Sequence, residues 1–323
     1  MRLNLSVNWG DFWRISDGVQ LPLKGEMTYE EGEVFALSHG ASVELVHSGS
    51  GTKNHKHRFH VVLDGHIVGV LTGFPRKFQD EKQAQFQLDN FLFYTQDWTK
   101  CLSRIIEGLG ATVESVSEIH LAHDSVSNQS VIEFIENWHF SRAKHHEALG
   151  RSGTKRGKFH LHFDSHDHSV KAFDWGSKKS DKRLTCYDKT AYLQDHESKV
   201  YISDFHGING IQGTLEDPVI RVELKLKKKA LDKIKDLDWQ RFEDPAYLSS
   251  IYQFHLKNWF EFVPVTGDKQ RSRRERFSLL DFSGFGLCTL DRDRSRPKEH
   301  LYADRLTIKS LYRWYYLTQI VDL

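Results

Sequence analysis

Two stretches of the chain alternate between ionisable and apolar side chains over most of their length. In Val116–Asp124 and in Pro218–Lys227, one set of alternate residues is largely ionisable and the other is largely apolar. Successive side chains of a β-strand point to opposite faces, so each stretch is predicted to be a strand that buries one face and leaves charged groups on the other. Both strands need a sheet with a core on one side.

The rest of the chain supplies further strands and helices. Arg58–Leu71 is predicted to be a hairpin, because two alternating runs are joined through Asp64 and Gly65, a strong two-residue turn signal. Other strands are predicted at Leu3–Phe12, Ser42–His47, Gln85–Phe93, Phe159–Phe163 and Lys171–Trp175. Helices are predicted at Thr95–Leu109, from Ser127 or Asn128 to Trp138, at Lys228–Leu237, over most of Trp239–Phe262 and at Leu306–Leu317. This irregular alternation predicts an α+β fold with a central, largely antiparallel sheet and flanking helices.

Several classes of protein are disfavoured by composition and by missing motifs. The sequence contains neither a G-x-G-x-x-G nor a G-x-x-x-x-G-K-[ST] motif, so it lacks the phosphate-binding loop that would indicate a nucleotide-binding fold. The three cysteines are scattered, which indicates a reducing compartment, and no apolar run approaches the length of a membrane span. We therefore expect a cytoplasmic protein that does not enter a membrane.

The charges are unevenly distributed although they nearly cancel. The net charge is only +1, but basic residues gather at Arg142–Lys158, Lys178–Arg183, Lys225–Lys235 and Arg271–Arg276. A single run of this kind is usually a solvated surface. Several runs along one apolar framework favour a surface that contacts phosphates.

One tyrosine, Tyr187, lies in an unusually basic segment, Phe173–Leu193. The nearby cations are Lys178, Lys179, Lys182, Arg183 and Lys189. A tyrosine in this setting could attack a phosphodiester, while the alternative is a cationic surface hairpin whose tyrosine only packs. Tyr192 follows five residues later, an offset that suits neither a shared helix face nor a shared strand face, so we expect it to pack.

The ionisable faces of the two alternating strands suggest a metal site. If the strands are neighbours, His120 and Asp124 on the first could converge with Glu223 on the second, a mixed nitrogen and oxygen set that suits Mg²⁺ or Mn²⁺. The alternative is a half-exposed sheet with ordinary salt bridges. A competing ligand pair is His160 and His162, which share one face of the strand Phe159–Phe163.

Four motifs in order resemble one known family. They are GHIVGVLTGFPR from Gly65, EIHLAHD from Glu118, GSKKSDKRLTCYDK from Gly176 and VIRVELKLK from Val219. Over most of Met1–Phe262 the chain resembles the rolling-circle replication initiators of plasmids and filamentous phages, the replication initiation factor family. The resemblance implies an HUH-like nicking fold. Glu118 departs from the family's usual arginine, and His120 stands where the family often has aspartate.

The resemblance implies a DNA-nicking activity with Tyr187 as the nucleophile. Tyr187 would form a 5′-phosphotyrosine and leave a 3′-OH that primes synthesis. Lys189, two residues further on and expected on the same strand face, would stabilise the phenolate or contact the phosphate; the alternative for Lys189 is a solvated surface charge. A Mg²⁺ or Mn²⁺ ion on His120, Asp124 and Glu223 would assist. The implied partners are single-stranded or cruciform origin DNA, a host helicase and a host polymerase, with a possible homodimer, in the cytoplasm of a bacterial host.

Basic residues before and within the segment that contains Tyr187 are expected to contact DNA phosphates, a sequence-independent and salt-sensitive contribution. They are Arg151, Lys155, Arg156, Lys158, Lys178, Lys179, Lys182 and Arg183.

The sequence also suggests domain limits and leaves two other functions open. We expect an initiator domain over residues 1–265, a basic linker over 266–276 and a small C-terminal unit of unknown role over 277–323. One alternative is a non-enzymatic DNA-binding or copy-control protein on the same fold. The other is a relaxase-type mobilisation nuclease, which would use His160 and His162 for its metal. The strand content disfavours a tyrosine recombinase.

Overall fold

The computed structural model describes residues 1–16, 19–37, 43–77, 80–95, 97–126, 146–149, 159–163, 170–196, 199–214, 217–256, 261–264 and 288–292. Its strands are β1 (Arg2–Val7), β2 (Phe12–Ser16), β3 (Val19–Pro22), β4 (Val34–Leu37), β5 (Val43–Ser50), β6 (His55–Leu63), β7 (His66–Pro75), β8 (Gln83–Leu88), β9 (Ala111–Val126), β10 (His146–Leu149), β11 (Phe159–Phe163), β12 (Val170–Trp175), β13 (Lys182–Asp188), β14 (Val219–Lys227) and β15 (Glu261–Pro264).

Thirteen of these strands form one sheet in the order β11-β12-β13-β14-β9-β1-β8-β7-β6-β5-β4-β2-β3, and β10 pairs with β15 separately. Every pair in the large sheet is antiparallel. The predicted α+β class with a large antiparallel sheet is therefore confirmed. The two alternating strands, β9 and β14, are direct neighbours.

The helices are few and short. They are α1 (Trp98–Gly108), α2 (Lys189–Gln194), α3 (Val200–Ile208), α4 (Lys228–Leu231) and α5 (Pro245–Leu256), with 3₁₀ turns at Trp9–Asp11, Asn90–Tyr94 and Trp239–Glu243. Within the described ranges, no helix is both long and apolar enough to span a membrane.

The apolar faces of β9 and β14 belong to the core. Ile119, Leu121, Val222 and Leu224 are buried, and the Tyr252 hydroxyl of α5 donates to the Val222 carbonyl at 3.0 Å. Burying one side chain of this size stabilises the fold by about 1.5–3 kcal/mol. The apolar half of the alternation thus fixes which face of the sheet carries the ionisable groups.

The predicted hairpin is confirmed as β6 and β7. Leu63 pairs with His66, so Asp64 and Gly65 form a two-residue turn, and both have positive φ, at 50° and 79°. That combination matches a type I′ turn, which follows the twist of the two strands.

Several predicted boundaries were wrong for local reasons. Leu3–Phe12 is not one strand, because the chain turns at Trp9, whose buried ring stacks on Phe74 at 4.6 Å. Gln85–Phe93 ends as a strand at Leu88, where the Asp89 carboxylate accepts from the Phe91 amide and starts a 3₁₀ turn. The helix predicted for Lys228–Leu237 is one turn long.

Other predictions fall outside the described residues. These are the helix ending at Trp138, the linker over 266–276 and most of the unit over 277–323, with its helix Leu306–Leu317. Of the last unit, 288–292 is described: Arg292 bridges to Ile234, and the Cys288 amide donates to the Ser250 hydroxyl at 2.5 Å. This short piece packs on the main body.

Candidate active site

A row of three side chains crosses three adjacent strands on the ionisable face of the sheet. Tyr187 of β13 lies directly opposite Arg221 of β14, and Arg221 lies directly opposite Asp124 of β9. Neighbouring strands are about 4.8 Å apart, so the row brings a phenol, a guanidinium and a carboxylate together within about 10 Å of sheet.

Arg221 and Asp124 form a buried, two-pronged ion pair. Arg221 Nε donates to Asp124 Oδ1 at 2.6 Å, and Nη2 donates to Oδ2 at 2.5 Å. His206 of α3 adds its Nε2 at 2.7 Å from Oδ2. Burial raises the pKa of Asp124, but these partners lower it more, and the result lies well below the usual range. The carboxylate is therefore ionised and orients the guanidinium towards Tyr187.

The phenol of Tyr187 is protonated at neutral pH. Burial raises its pKa, and the charge and hydrogen bond of Arg221 offset only part of that effect, so the net shift is upward. A nucleophilic role for this tyrosine requires a group that takes the proton and a cation that stabilises the phenolate.

Lys189 lies beside that phenol, although not for the predicted reason. The prediction that it shares a strand face with Tyr187 was wrong, because the Asp188 carboxylate accepts from the Ala191 amide and starts α2 at Lys189. Its Nζ still lies 5.8 Å from the centre of the Tyr187 ring. The side chain is 2% exposed, and burial together with the charge of Arg221 lowers its pKa to about 7.

Tyr192 also borders this group. Its ring centre lies 5.6 Å from that of Tyr187 in an edge-to-face arrangement. Lys189 Nζ lies 4.2 Å from the Tyr192 ring centre, and Lys199 Nζ donates to the Tyr192 hydroxyl. Tyr192 therefore packs, as predicted, but it packs against two lysine ammonium groups and the phenol of Tyr187.

Two of the three predicted metal ligands come together. His120 Nδ1 lies 2.8 Å from Glu223 Oε1, and His120 Nε2 lies 3.1 Å from Glu118 Oε1. Burial lowers the pKa of His120, but the two glutamates raise it more, and the net shift is upward. Lys225 Nζ lies 2.9 Å from Glu118. Imidazole and carboxylate groups are donor types that bind divalent metals, but here both ring nitrogens of His120 are engaged by carboxylates.

Asp124, the third predicted ligand, does not join them. Both of its oxygens accept from Arg221. Within the described part of the chain, no group of three or more His, Cys, Asp or Glu side chains is arranged to hold a metal ion. In this arrangement Asp124 holds the guanidinium of Arg221 in place by two hydrogen bonds.

The competing histidines lie at the far edge of the same face. Their strand, β11, is separated from β14 by β12 and β13. His162 Nε2 lies 2.7 Å from Asp174 Oδ2, and Asp174 also accepts from Thr185 at 2.6 Å and from Arg183. Burial raises the pKa of Asp174, but these hydrogen bonds lower it more. Two strands lie between the strand of His162 and that of Glu223, and Thr185 of this cluster is directly opposite Glu223.

The predicted DNA-contacting residues fall into different places. Lys178 and Lys179 are exposed in the turn between β12 and β13. Lys182 is on the opposite face from Tyr187, where its Nζ donates to the His255 carbonyl at 3.3 Å. Arg183 is on the Tyr187 face, paired with Asp174. The others lie outside the described residues; they are Arg151, Lys155, Arg156 and Lys158.

A cavity of about 420 Å³ opens beside the row. Its polar lining includes His120, Asp124, Arg221 and Glu223. Its aromatic lining includes Tyr94, whose ring centre lies 6.0 Å from the Arg221 guanidinium. The site is therefore open to a ligand next to the buried ion pair.

Sequence reasoning missed the partners that hold the site together. His206 was not identified, because its segment gave no periodic signal. Arg221 was recognisable only as a member of the ionisable face of β14. Lys199 and Asp174 carry no pattern that distinguishes them from surface charges. Their roles depend on which strands are neighbours, a property that the alternation does not give.

Comparison with known proteins finds similarity among solved structures. No family model matches the chain, and no curated protein matches it. Among solved structures, the chain is similar to "Structure of Rolling Circle Replication Initiator Protein from Geobacillus stearothermophilus", with 12% identity, 86% of this chain and 91% of that chain covered, and a TM-score of 0.48.

Proposed function

We propose that this chain initiates rolling-circle DNA replication by nicking and rejoining one DNA strand through Tyr187. The observation that carries the proposal is the row of Tyr187, Arg221 and Asp124, with Lys189 beside the phenol. The motifs that resemble the initiator family contribute every member of this row.

The chemistry is a transesterification. The Tyr187 Oη attacks the phosphorus, the 3′ oxygen of the preceding nucleotide leaves as a 3′-OH, and the DNA 5′ phosphate stays on the tyrosine. Lys189, with a pKa lowered to about 7, is partly neutral at physiological pH; it takes the phenolic proton and passes it to the leaving 3′ oxygen. Arg221 remains charged and stabilises the negative charge that develops on the phenolate and the phosphate.

A divalent cation is part of the proposal, held by His120 and Glu223. When bound, Mg²⁺ or Mn²⁺ would draw charge from the non-bridging phosphate oxygens. His120 must lose its proton to bind a metal, so the affinity for the ion should rise with pH.

The proposed partner is single-stranded or cruciform origin DNA, the partner that the resemblance to the initiator family implies. The exposed Lys178 and Lys179 would contact phosphates of that strand. A host helicase and polymerase would act on the free 3′ end.

One observation favours the non-enzymatic alternative, a DNA-binding or copy-control protein. The raised pKa of Tyr187 is what a purely structural phenol would show. The two functions separate in an assay on supercoiled circles that carry the gene for this chain and its flanking DNA, incubated with Mn²⁺. The enzyme converts circles to a nicked form with a 3′ end that a polymerase extends, whereas binding that retards the circles without any nicking would overturn the proposal.

A further inference from the structure

We propose that a cleft along one edge of β9, bounded by Ile119–Ala122, Asn90, Phe93 and Trp98, holds unpaired bases of the DNA strand that is nicked. This inference rests on the proposed function and adds to it a site that recognises the nucleotides beside the scissile phosphate. The ligand class is single-stranded DNA, bound through its bases.

The β9 cleft exists because two strands pair with different halves of β9. On one edge β1 pairs with Ala111–Glu118, and on the other edge β14 pairs with Glu118–Val126. Among the described residues, no strand continues β1 along the edge of Ile119–Ala122. Alternate residues of an antiparallel strand turn their amide and carbonyl groups away from the paired neighbour. This stretch therefore presents backbone donors and acceptors to the cleft.

Two cavities follow this open edge and share part of their lining. One has a volume of about 690 Å³ and reaches Ile119, and the other is the cavity of about 420 Å³ beside the ion pair. Asn90, Trp98 and His120 line both. Sites for small organic ligands have volumes of about 300–1,000 Å³. The β9 cleft therefore has room for a nucleobase and is continuous with the candidate active site.

The wall opposite β9 carries groups that suit an unpaired base. Phe93 and Trp98 are partly buried, and their ring centres lie 5.1 Å apart in an edge-to-face arrangement. The exposed Asn90 donates from its side-chain amide to the Tyr201 hydroxyl at 3.2 Å. Bases stack on aromatic rings of this kind, and amide, hydroxyl and backbone groups supply hydrogen bonds to base edges.

The charges of the larger cavity favour a polyanion. Its lining includes the cations Arg2, Lys199 and Lys225 and the carboxylates of Asp89 and Glu118. Glu118 is paired with Lys225 at 2.9 Å and with Arg2 at 3.9 Å. An extended peptide is the other ligand that pairs with an open strand edge. The positive balance and the continuity with the candidate active site favour a DNA strand.

The test measures binding without nicking, so it does not depend on the chemical step. The intact Tyr187→Phe chain is titrated with labelled single-stranded oligonucleotides that tile its gene and flanking DNA. Each nucleotide of the tightest binder is then replaced in turn by an abasic residue. We expect a short run of positions at which the loss of the base weakens binding by about tenfold, in line with the stacking of a base on an aromatic side chain.

Two variants connect this loss to the β9 cleft. Trp98→Leu removes the stacking ring, and Asn90→Ala removes an exposed amide and decides the matter if Trp98→Leu does not fold. Each should weaken the binding of the intact oligonucleotide, and abasic replacement within the run should then change the affinity little, because the base has lost its contact. Trp13→Leu, which alters a half-buried tryptophan of β2 far across the sheet, should behave like the parent chain.

The inference is overturned if no position depends on its base, or if the abasic losses persist undiminished in the folded cleft variants. Nicking by a chain that shows no such dependence rejects the inference alone. Base-dependent binding through the β9 cleft by a chain that never nicks rejects the enzyme and keeps the DNA contact. A chain that binds no single-stranded DNA rejects both.

Discussion

Asp124 and Arg221 face each other across β9 and β14, and each carboxylate oxygen accepts one guanidinium hydrogen bond, at 2.6 and 2.5 Å. The pair is the buried centre of the candidate site, since Arg221 is 5% exposed and reaches Tyr187 on its other side. Removing Asp124 leaves the Arg221 charge buried without its carboxylate, and removing Arg221 leaves Asp124 buried with only His206 beside it.

The first prediction concerns this pair and the stability of the fold. Asp124→Leu and Arg221→Met should each lower the free energy of unfolding by about 3–5 kcal/mol, because each variant leaves the opposite charge of the pair buried and uncompensated. The double variant should lose clearly less than the sum of the two. Urea unfolding of all four proteins measures the coupling, and additive losses would contradict a buried pair.

The second prediction concerns the chemistry of Arg221. Arg221→Lys keeps the charge but loses the two-pronged contact with Asp124. Nicking should slow by about 100-fold, in line with the loss of one preorganised donor to a developing negative charge. The binding of single-stranded DNA should change little, and equal losses of binding and nicking would argue against a role in the chemical step.

The third prediction concerns the pH dependence of nicking. Lys189 has a pKa lowered to about 7, and only its neutral form accepts the proton of Tyr187. The nicking rate should therefore rise with pH through about 7 and level off above it. Lys189→Arg stays protonated throughout and should lose both the rate and this rise. An unchanged profile in that variant would exclude Lys189 as the proton acceptor.

The fourth prediction separates the two metal assignments. Glu223→Gln should raise the Mn²⁺ concentration needed for half-maximal nicking by at least about tenfold. Removing a residue that only hydrogen-bonds to a metal ligand already weakens metal binding by about this factor. His160→Ala, at the far edge of the sheet, should leave that concentration unchanged. The reverse result would move the metal to His160 and His162.

The fifth prediction concerns acid stability. His255 is 1% exposed, and within the described ranges neither of its ring nitrogens has a hydrogen-bond partner. Burial and then the nearby Lys182 lower its pKa to about 3. Between that value and the ordinary histidine value near 6.5, the unfolded chain binds more protons, so the free energy of unfolding falls as pH falls, by up to about 1.4 kcal/mol per pH unit.

His255→Leu should remove this part of the acid sensitivity, which unfolding in urea at pH 4.5 and 7 would measure. The exposed His66 gives a matched control, since His66→Leu should keep the wild-type difference between the two pH values. Equal slopes for His255→Leu and the wild type would show that His255 is not the source.

The sequence predicts the elements of the site better than their contacts. Alternation identified β9 and β14 and the face that carries Asp124 and Glu223, because period two is visible in the residues themselves. It could not show that Arg221 is directly opposite Asp124, since the register of a strand pair is a tertiary property. For this reason Asp124 was predicted to be a metal ligand and not the partner of Arg221.

Short elements were missed for a related reason. His206 reaches Asp124 from α3, a helix of nine residues that buries only Ile202 and His206 and so shows no apolar stripe. Lys189 was placed on a strand face because nothing in its own type signals that Asp188 caps a helix. Both errors concern where one element ends and the next begins.

The central claim is tested most directly by the covalent bond itself. Labelled single-stranded DNA from the gene and its flanks, incubated with the chain and Mn²⁺, should give a protein–DNA adduct that survives denaturation. It should be absent from Tyr187→Phe and as abundant in Tyr29→Phe as in the wild type, since Tyr29 lies between β3 and β4 and packs on Phe35. An adduct of undiminished yield in a folded Tyr187→Phe variant would contradict the account.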